Sequence, residues 1–314
     1  MKNRPKPLKG HVLFDILTKG IYTTFTRAIK EAVSNAYDAD ADTVEITFAP
    51  KKFIELKNPC DLTIQIRDDG KGMSLDDFWE NFASIESEKE PTKKDSNTHR
   101  YPIGQFGIGS FALVPFSVGL TIYSKKYREK PIKCVINAIN LLAKTPDDYV
   151  DHVAKNISAA EIDEEEWDTI SGSGDSGTVI VINGVTSETY TELVDGTGSL
   201  KEKEEEKGLF PNAPFTTGLK EIAWQLSTLL PLEYADDLGG IYRSHQVSLA
   251  SNNPSIRITL SEEELNRQIY SKAGSVVSTI DYKDPNTGVH ARGVIIAVPS
   301  GSVQPRQANG VILG

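Results

Sequence analysis

The chain has 314 residues, 39% of them hydrophobic and 25% charged, with a net charge of −10. This is length for two domains, each with its own core, and the composition of a soluble globular protein. The negative balance makes the chain as a whole a poor binder of polyanions, which disfavours nucleic acid while leaving room for a local basic patch.

No apolar run reaches the length of a membrane span. The basic start MKNRPKPLKG leads into no apolar segment of the secretory kind. Cys60 and Cys134 are the only cysteines, far apart and outside any C-x-x-C spacing. Neither a disulfide framework nor a zinc site is expected, and a cytoplasmic location is the default.

In chain order, Ile21, Phe25, Ala28, Ile29, Ala32, Val33 and Ala36 fall on one stripe of an amphipathic helix. Glu31, Asn35 and Asp38 stack in a column opposite Ile29, Val33 and Ala36. A solvated face would explain the carboxylates. Asn, however, prefers caps and turns, and an amide carbonyl beside carboxylates is a hard-oxygen arrangement suited to Mg²⁺ and water. TVEITF (43–48) and LTIQIRD (62–68) alternate as strands with one buried face. The second runs into DDGKGM, where Gly70 and Gly72 suit a tight turn. A turn does not explain why Asp68 ends an apolar strand; a carboxylate there is suited to an exocyclic amine such as adenine's.

SLDDFWENFASI reads as a helix with Ser74 as its N-cap. SEKEPTKKDSNTHRYP has no period. IGQFGIGSFALVPFS carries Gly104, Gly107 and Gly109 ahead of an apolar stretch read as helix. Bare backbone at a helix N-terminus is an anion cradle. GLTIYSKK and KCVINAI read as a strand pair and GTVIVINGV (177–185) as another strand. The acidic AAEIDEEEWDTISGSGDSG, about residues 155–176, reads as a solvated insertion, and DGTGSLKEKEEEKG as a second loop. A composition change near Phe210 marks a domain boundary. Beyond it TGLKEIAWQLSTLL is helical, and SIRITL and RGVIIAVP are strands. NGVILG reads as a strand cut short, so a longer protein is expected.

Together, AIKEAVSNAYDADA, DDGKGM and GQFGIGSFA resemble the GHKL ATPases in order, spacing and context. That superfamily holds gyrase B subunits, heat-shock chaperones, histidine kinases and MutL mismatch-repair proteins. The wording is nearest to its chaperone and MORC-like branches, and the resemblance covers roughly residues 10 to 185. It implies an α/β (α+β) fold of the Bergerat type over residues 1–209: a two-layer sandwich with one mixed, mainly antiparallel sheet, helices over one face, and nucleotide between them. A smaller transducer-like α/β domain would follow over 210–314.

By the same resemblance Glu31 looks like the general base and Asn35 like the Mg²⁺ ligand. Asp38 resembles a position lining the nucleotide pocket through water, and Asp68 the aspartate that takes the adenine amine. Gly72 and Met73 look like residues shaping the base pocket, and Thr178 like a partner sharing a water with Asp68. Gly104, Gln105, Phe106, Gly107, Ile108 and Gly109 resemble the phosphate-binding hinge of a lid over about 83–110. Lys89 is the nearest candidate for a lid lysine. Arg306, in SGSVQPRQANG, is a fork suited to the γ-phosphate. The implied chemistry is slow hydrolysis of ATP with Mg²⁺, working as a switch that closes the lid and a homodimer. A further protein partner or effector region, and no membrane, would complete it. Two alternatives stand beside this: an ATP-binding scaffold that does not hydrolyse, and a protein kinase. The Glu31/Asn35 pair counts against the first. The second lacks an upstream phospho-acceptor helix, since only about 20 residues precede the first one.

Three decoys fall away. SGSGDSG is formally G-x-G-x-x-G, but an acidic stretch precedes it and a strand follows, the wrong context for a dinucleotide fold. No Walker A lysine signature occurs. His11, His99, His152, His245 and His290 show no metal-binding spacing.

Overall fold

The computed structural model describes residues 23–83, 111–142, 155–198, 213–229, 256–265, 275–283 and 290–297. Helix α1 (Phe25–Asp38) buries Phe25, Ala28, Ile29, Ala32, Val33 and Ala36, the described part of the stripe read from the sequence, and Tyr37 besides. Thr24 caps it by accepting from the Arg27 N–H. A second cap comes from far along the chain: the Glu192 carboxylate accepts from the Phe25 and Thr26 N–H groups at 2.9 and 2.8 Å and from the Thr26 hydroxyl at 2.8 Å. A carboxylate there also meets the positive end of the helix dipole.

β1 (Thr43–Ala49) and β2 (Thr63–Asp68) pair antiparallel. α2 (Leu75–Ala83) opens on a reciprocal cap, with Ser74 Oγ accepting from the Asp77 N–H and the Asp77 carboxylate from the Ser74 N–H. Past the glycine motif the described chain resumes at Phe111. A helix was expected there; residues 114–116 instead make a single 3-10 turn containing Pro115, whose ring leaves no N–H for a longer ladder. β3 (Ser117–Lys125), β4 (Ile132–Ile136), α3 (Ala138–Leu142), β5 (Ile157–Glu161), α4 (Glu164–Ser171), β6 (Gly177–Val185) and α5 (Ser187–Asp195) follow. Then come α6 (Thr217–Leu229), β7 (Arg257–Leu260), β8 (Glu263–Leu265), β9 (Ser275–Lys283) and β10 (His290–Ala297).

Eight strands form one sheet in the order β5-β4-β3-β6-β2-β1-β7-β8; β1 and β7 run parallel and the other neighbours antiparallel. The mixed, mainly antiparallel sheet expected from the sequence is present. Register places Ile66 between Ile46 and Ile180, and Ile180 beside Ile122. All four are buried on the face that α1 covers. β9 and β10 pair separately as an antiparallel ribbon.

The acidic tract read as a solvated insertion is folded. Its first part is β5, paired with β4 at the sheet edge. Its second is α4, capped by Asp163, with Glu164, Glu165 and Glu166 in the first turn, where negative charge suits the dipole. α4 lies on the opposite face of the sheet from α1. There Gln65 donates to the Ile170 carbonyl at 3.3 Å and Arg67 to that of Ser171 at 2.9 Å. Trp167 is 1% exposed, and its indole N–H donates to the Gly174 carbonyl at 2.6 Å. One tryptophan decides the matter that seven nearby carboxylates obscure.

The elements past Phe210 also differ from the expectation of a boundary there. α6 packs on α5 and α1, and Leu219, Ile222, Ala223 and Leu226 join the same core. β7 extends the sheet beside β1. Among the described residues, 217–229 and 256–265 continue the layers begun by α1 and β1. No described helix is long and apolar enough to cross a membrane.

Trp167→Ala should cost about 3–5 kcal/mol of stability in chemical denaturation, whereas Glu165→Ala, exposed on the same helix, should stay within about 0.5 kcal/mol. Equal small effects would mean that α4 does not seal the sheet.

Candidate functional site

Three neighbouring strands end together beneath the last turn of α1. Ser124 of β3 stands opposite Thr178 of β6, and Thr178 opposite Asp68 of β2. Directly paired residues share a face, and this row lies on the face of Ile66, Ile122 and Ile180. The apolar floor thus changes to hydroxyl, hydroxyl and carboxyl at one end of the sheet.

The two acids that close β2 part company by strand parity. Asp69, pointing the other way, is structural: its carboxylate accepts from the Asp42 and Thr43 N–H groups, both at 2.8 Å, and from the Thr43 hydroxyl at 2.7 Å. Asp68 turns inward, and its Oδ1 accepts from the Gly70 N–H at 3.0 Å. Although the residue keeps some accessible surface, protein encloses its carboxyl. Desolvation pushes its pKa from 3.8 up to about 7, the backbone N–H groups of Gly70 and Thr178 pulling against this and the charge of Asp69 adding to it. A carboxyl poised near neutrality in a recess is a frequent mark of a functional site.

The turn after Asp68 is pinned to the end of α1. The Lys71 N–H donates to the Ala39 carbonyl at 2.9 Å, and the Lys71 ammonium pairs with Asp40 at 2.6 Å. Gly72 has φ +65°, and a Cβ there would lie 1.9 Å from the Lys125 carbonyl oxygen. Only glycine fits. The Met73 N–H then donates to Ser124 Oγ at 2.8 Å.

Glu31, Asn35 and Asp38 share one side of α1 and are half-buried rather than fully solvated. Glu31 pairs with Lys30 at 3.2 Å. From Asp38, beside the 68–73 turn, Asn35 lies about 4.5 Å and Glu31 about 10 Å back along the helix axis. The structure therefore brings Asp68, Gly72, Met73 and Thr178 together at one end of this column. Lys89, Gly104, Gln105, Phe106, Gly107, Ile108, Gly109 and Arg306, with lid residues 84–110, lie outside the described residues.

Ser124 was missed by sequence reasoning. The signal was present: Leu120, Ile122 and Ser124 alternate inward, and the serine takes the final apolar slot just as Asp68 does on β2. A polar recess at the β3–β4 turn, between Arg128, Lys130, Glu164 and Asp175, is a different place. Its lining is mostly charged, and Lys125 at its edge is paired with Glu164.

Known proteins with similar sequences bear on this arrangement. Residues 22–169 match the family described as histidine kinase-, DNA gyrase B- and HSP90-like ATPase. A candidate type II restriction enzyme, HgiDII of Herpetosiphon aurantiacus, is 29% identical over 110 residues, 35% of this chain and 16% of that protein. The chaperone protein HtpG of Sulfurovum sp. (strain NBC37-1) is 29% identical over 136 residues, 38% of this chain and 21% of that protein. The chain thus spans about a fifth or less of the length of these relatives. The matched segment holds α1, the Asp68 turn and the glycine motif in that order: this chain carries a GHKL-type, ATP-binding ATPase domain.

Proposed function

We propose that this protein binds ATP with Mg²⁺ and hydrolyses it slowly, the nucleotide state switching a lid and a homodimer. The observation that carries the reading is the column on α1 running from Glu31 and Asn35 down to the polar row of Asp68 and Thr178. It offers a water-activating carboxylate and a hard-oxygen ligand at one end and a base-reading carboxylate at the other.

In this reading Asp68 accepts a hydrogen bond from the exocyclic amine of adenine, and Thr178 shares a water with it. Gly72 and Met73 shape the base pocket, and Asp38 lines it through water. Asn35 fits Mg²⁺: its side-chain amide makes no hydrogen bond or ion pair among the described residues, and its carbonyl is a hard oxygen. Mg²⁺ is commonly held by one or two protein ligands, with phosphate and water completing its shell, so a larger protein cage is not required. The metal supplies charge neutralisation across the phosphates. Glu31 orients the attacking water and takes its proton, the step that positioning and electrostatics alone leave undone. The glycine motif 104–109 and Lys89 would hold phosphate oxygens from the lid, and Arg306 would reach the γ-phosphate from a transducer-like portion.

The two relatives join different named activities, a chaperone and a candidate restriction enzyme, to similar stretches. What transfers is the nucleotide engine. The output is expected in a partner or in further chain.

Glu31→Ala should lower turnover about 10²–10⁴-fold while calorimetry finds ATP affinity within about threefold of native; unchanged phosphate release would remove Glu31 as the base and leave the scaffold alternative.

Asp68 has a pH signature of its own. The folded chain keeps this proton up to about pH 7, and the unfolded chain releases it near 3.8. Stability is therefore fully present below pH 3.8 and lost as pH rises through 7. Asp68→Asn lifts that penalty, so the variant should melt higher than the native protein at about pH 8 and converge with it near pH 4. It should also bind ATP at least about tenfold more weakly at pH 8, and lack the roughly tenfold gain in affinity expected of the native protein between pH 6 and 8. A stable Asp68→Asn variant with native ATP affinity would sink the assignment.

A further inference from the structure

Helix α1 opens with donors that its own ladder cannot use, and one side chain from far along the chain takes most of them. Glu192 Oε2 accepts from the Phe25 N–H at 2.9 Å, and its Oε1 accepts from the Thr26 N–H and the Thr26 hydroxyl, both at 2.8 Å. Thr24 meets only the next donor, the Arg27 N–H. Glu192 is itself set by the start of α6. Gly218 lies so close that a Cβ there would stand 2.0 Å from the Glu192 carbonyl oxygen. The Thr216 hydroxyl donates to the neighbouring Leu193 carbonyl at 2.5 Å. Glu192, Thr216 and Gly218 all lie past the segment 22–169 that the family match covers.

What this grip controls follows from the other contacts of α1. The helix buries Ala28, Ile29, Ala32, Val33 and Ala36, and apolar contact is non-directional; it presses the helix onto the core. Directional bonds at the two ends set where the helix stands along its axis. At the C-terminal end the Ala39 carbonyl accepts from the Lys71 N–H at 2.9 Å. Asn35 lies about 6 Å along the axis from that clamp, whereas Glu31 lies about 12 Å from it and about 9 Å from Phe25. Without Glu192 the helix is fixed by such bonds at its Asp38 end alone, and displacement grows toward Glu31.

We infer that Glu192 is a positioning residue for hydrolysis: it fixes the N-terminal end of α1 and so holds the Glu31 carboxylate in place on the attacking water. This rests on the ATP reading above and deepens it. A general base works only within hydrogen-bond reach of the proton it takes, and a misplacement of about 1 Å costs on the order of a hundredfold in rate. Asn35, Asp68 and Thr178 stand near the C-terminal clamp and do not depend on Glu192. Binding and turnover therefore part company. Glu192 touches no substrate atom in this scheme; it acts through Glu31.

The test is phosphate release at saturating ATP with Mg²⁺, set beside ATP affinity by calorimetry, in a cycle of Glu192→Gln and Glu31→Ala. The carboxamide keeps the size of Glu192 but has one acceptor oxygen, so the donors of either Phe25 or Thr26 lose their partner. Folded Glu192→Gln should turn over at least about tenfold more slowly and keep ATP affinity within about threefold of native. In the Glu31→Ala background the same change should alter the residual rate by less than about twofold, because the group it positions is gone. An equal loss in both backgrounds, a parallel loss of affinity, or a native rate in the folded variant would each make Glu192 an ordinary structural cap and overturn the inference. Thr26→Val deletes one of the three bonds at nearly constant shape and decides the matter where Glu192→Gln does not fold. Its turnover should fall about threefold, and a native rate would overturn the inference. Native protein that releases no phosphate, or a Glu31→Ala variant with native turnover, would refute the ATPase reading itself, an outcome distinct from these.

Discussion

The alignment of three strand ends is the constraint on which the rest of the structure depends. Register in a sheet is exacting because a slip of one residue turns every side chain to the other face. Here the pairing of Ser124 with Thr178, and of Thr178 with Asp68, carries three polar groups onto the face that buries Ile122, Ile180 and Ile66. The apolar alternation behind them holds that register, so the core itself positions the polar row. Asp69, one residue on, shows the consequence of parity: a chemically identical carboxylate becomes a clamp for the start of β1. The same layer that excludes water from the isoleucines encloses Asp68 and raises its pKa to about 7.

Close backbone approach then fixes the turn. At Gly72 the chain passes so near the Lys125 carbonyl that a Cβ would lie 1.9 Å from it, and at Gly177 a Cβ would lie 2.3 Å from the Asp68 carbonyl oxygen. β2, β3 and β6 are pressed together where Gly72 and Gly177 offer no side chain, which lets the Met73 N–H reach Ser124 and leaves the inward carboxyl in a recess. The glycines of DDGKGM are therefore a packing requirement as well as a turn signal.

Much of this was legible in the sequence, for physical reasons that also set its limit. The period of α1, the alternation of β1, β2 and β6, and the inward carboxylate of Asp68 are local patterns, readable within one element. Ser124 obeys the same local rule, yet its meaning depends on which strands flank it, and β3 meets β6 across more than 50 intervening residues. The acidic tract misled because charge density was weighed above the buried Trp167 and the Asp163 cap, a pair that marks a surface helix with one anchored side. The continuation of the sheet into β7 could not be read at all. A four-residue strand pairing parallel to β1 from over two hundred residues away leaves no trace in either segment alone.

The ends of α1 show how the helix carrying Glu31 and Asn35 is held. At its N-terminus the Glu192 carboxylate of α5 satisfies donors that a helix cannot satisfy for itself. At its C-terminus the Ala39 carbonyl is held by Lys71, and Asp40 by the ammonium of the same lysine. Glu31 and Asn35 lie between two clamps supplied by Glu192 and Lys71, residues more than a hundred positions apart. α5 is in turn braced by α6, whose Glu221 carboxylate accepts from the Thr197 N–H at 2.8 Å and its hydroxyl at 2.7 Å, just past the end of α5. α1, α5 and α6 are thus tied into one packed layer. Elements past the matched segment thus pack directly on the helix that carries the proposed base.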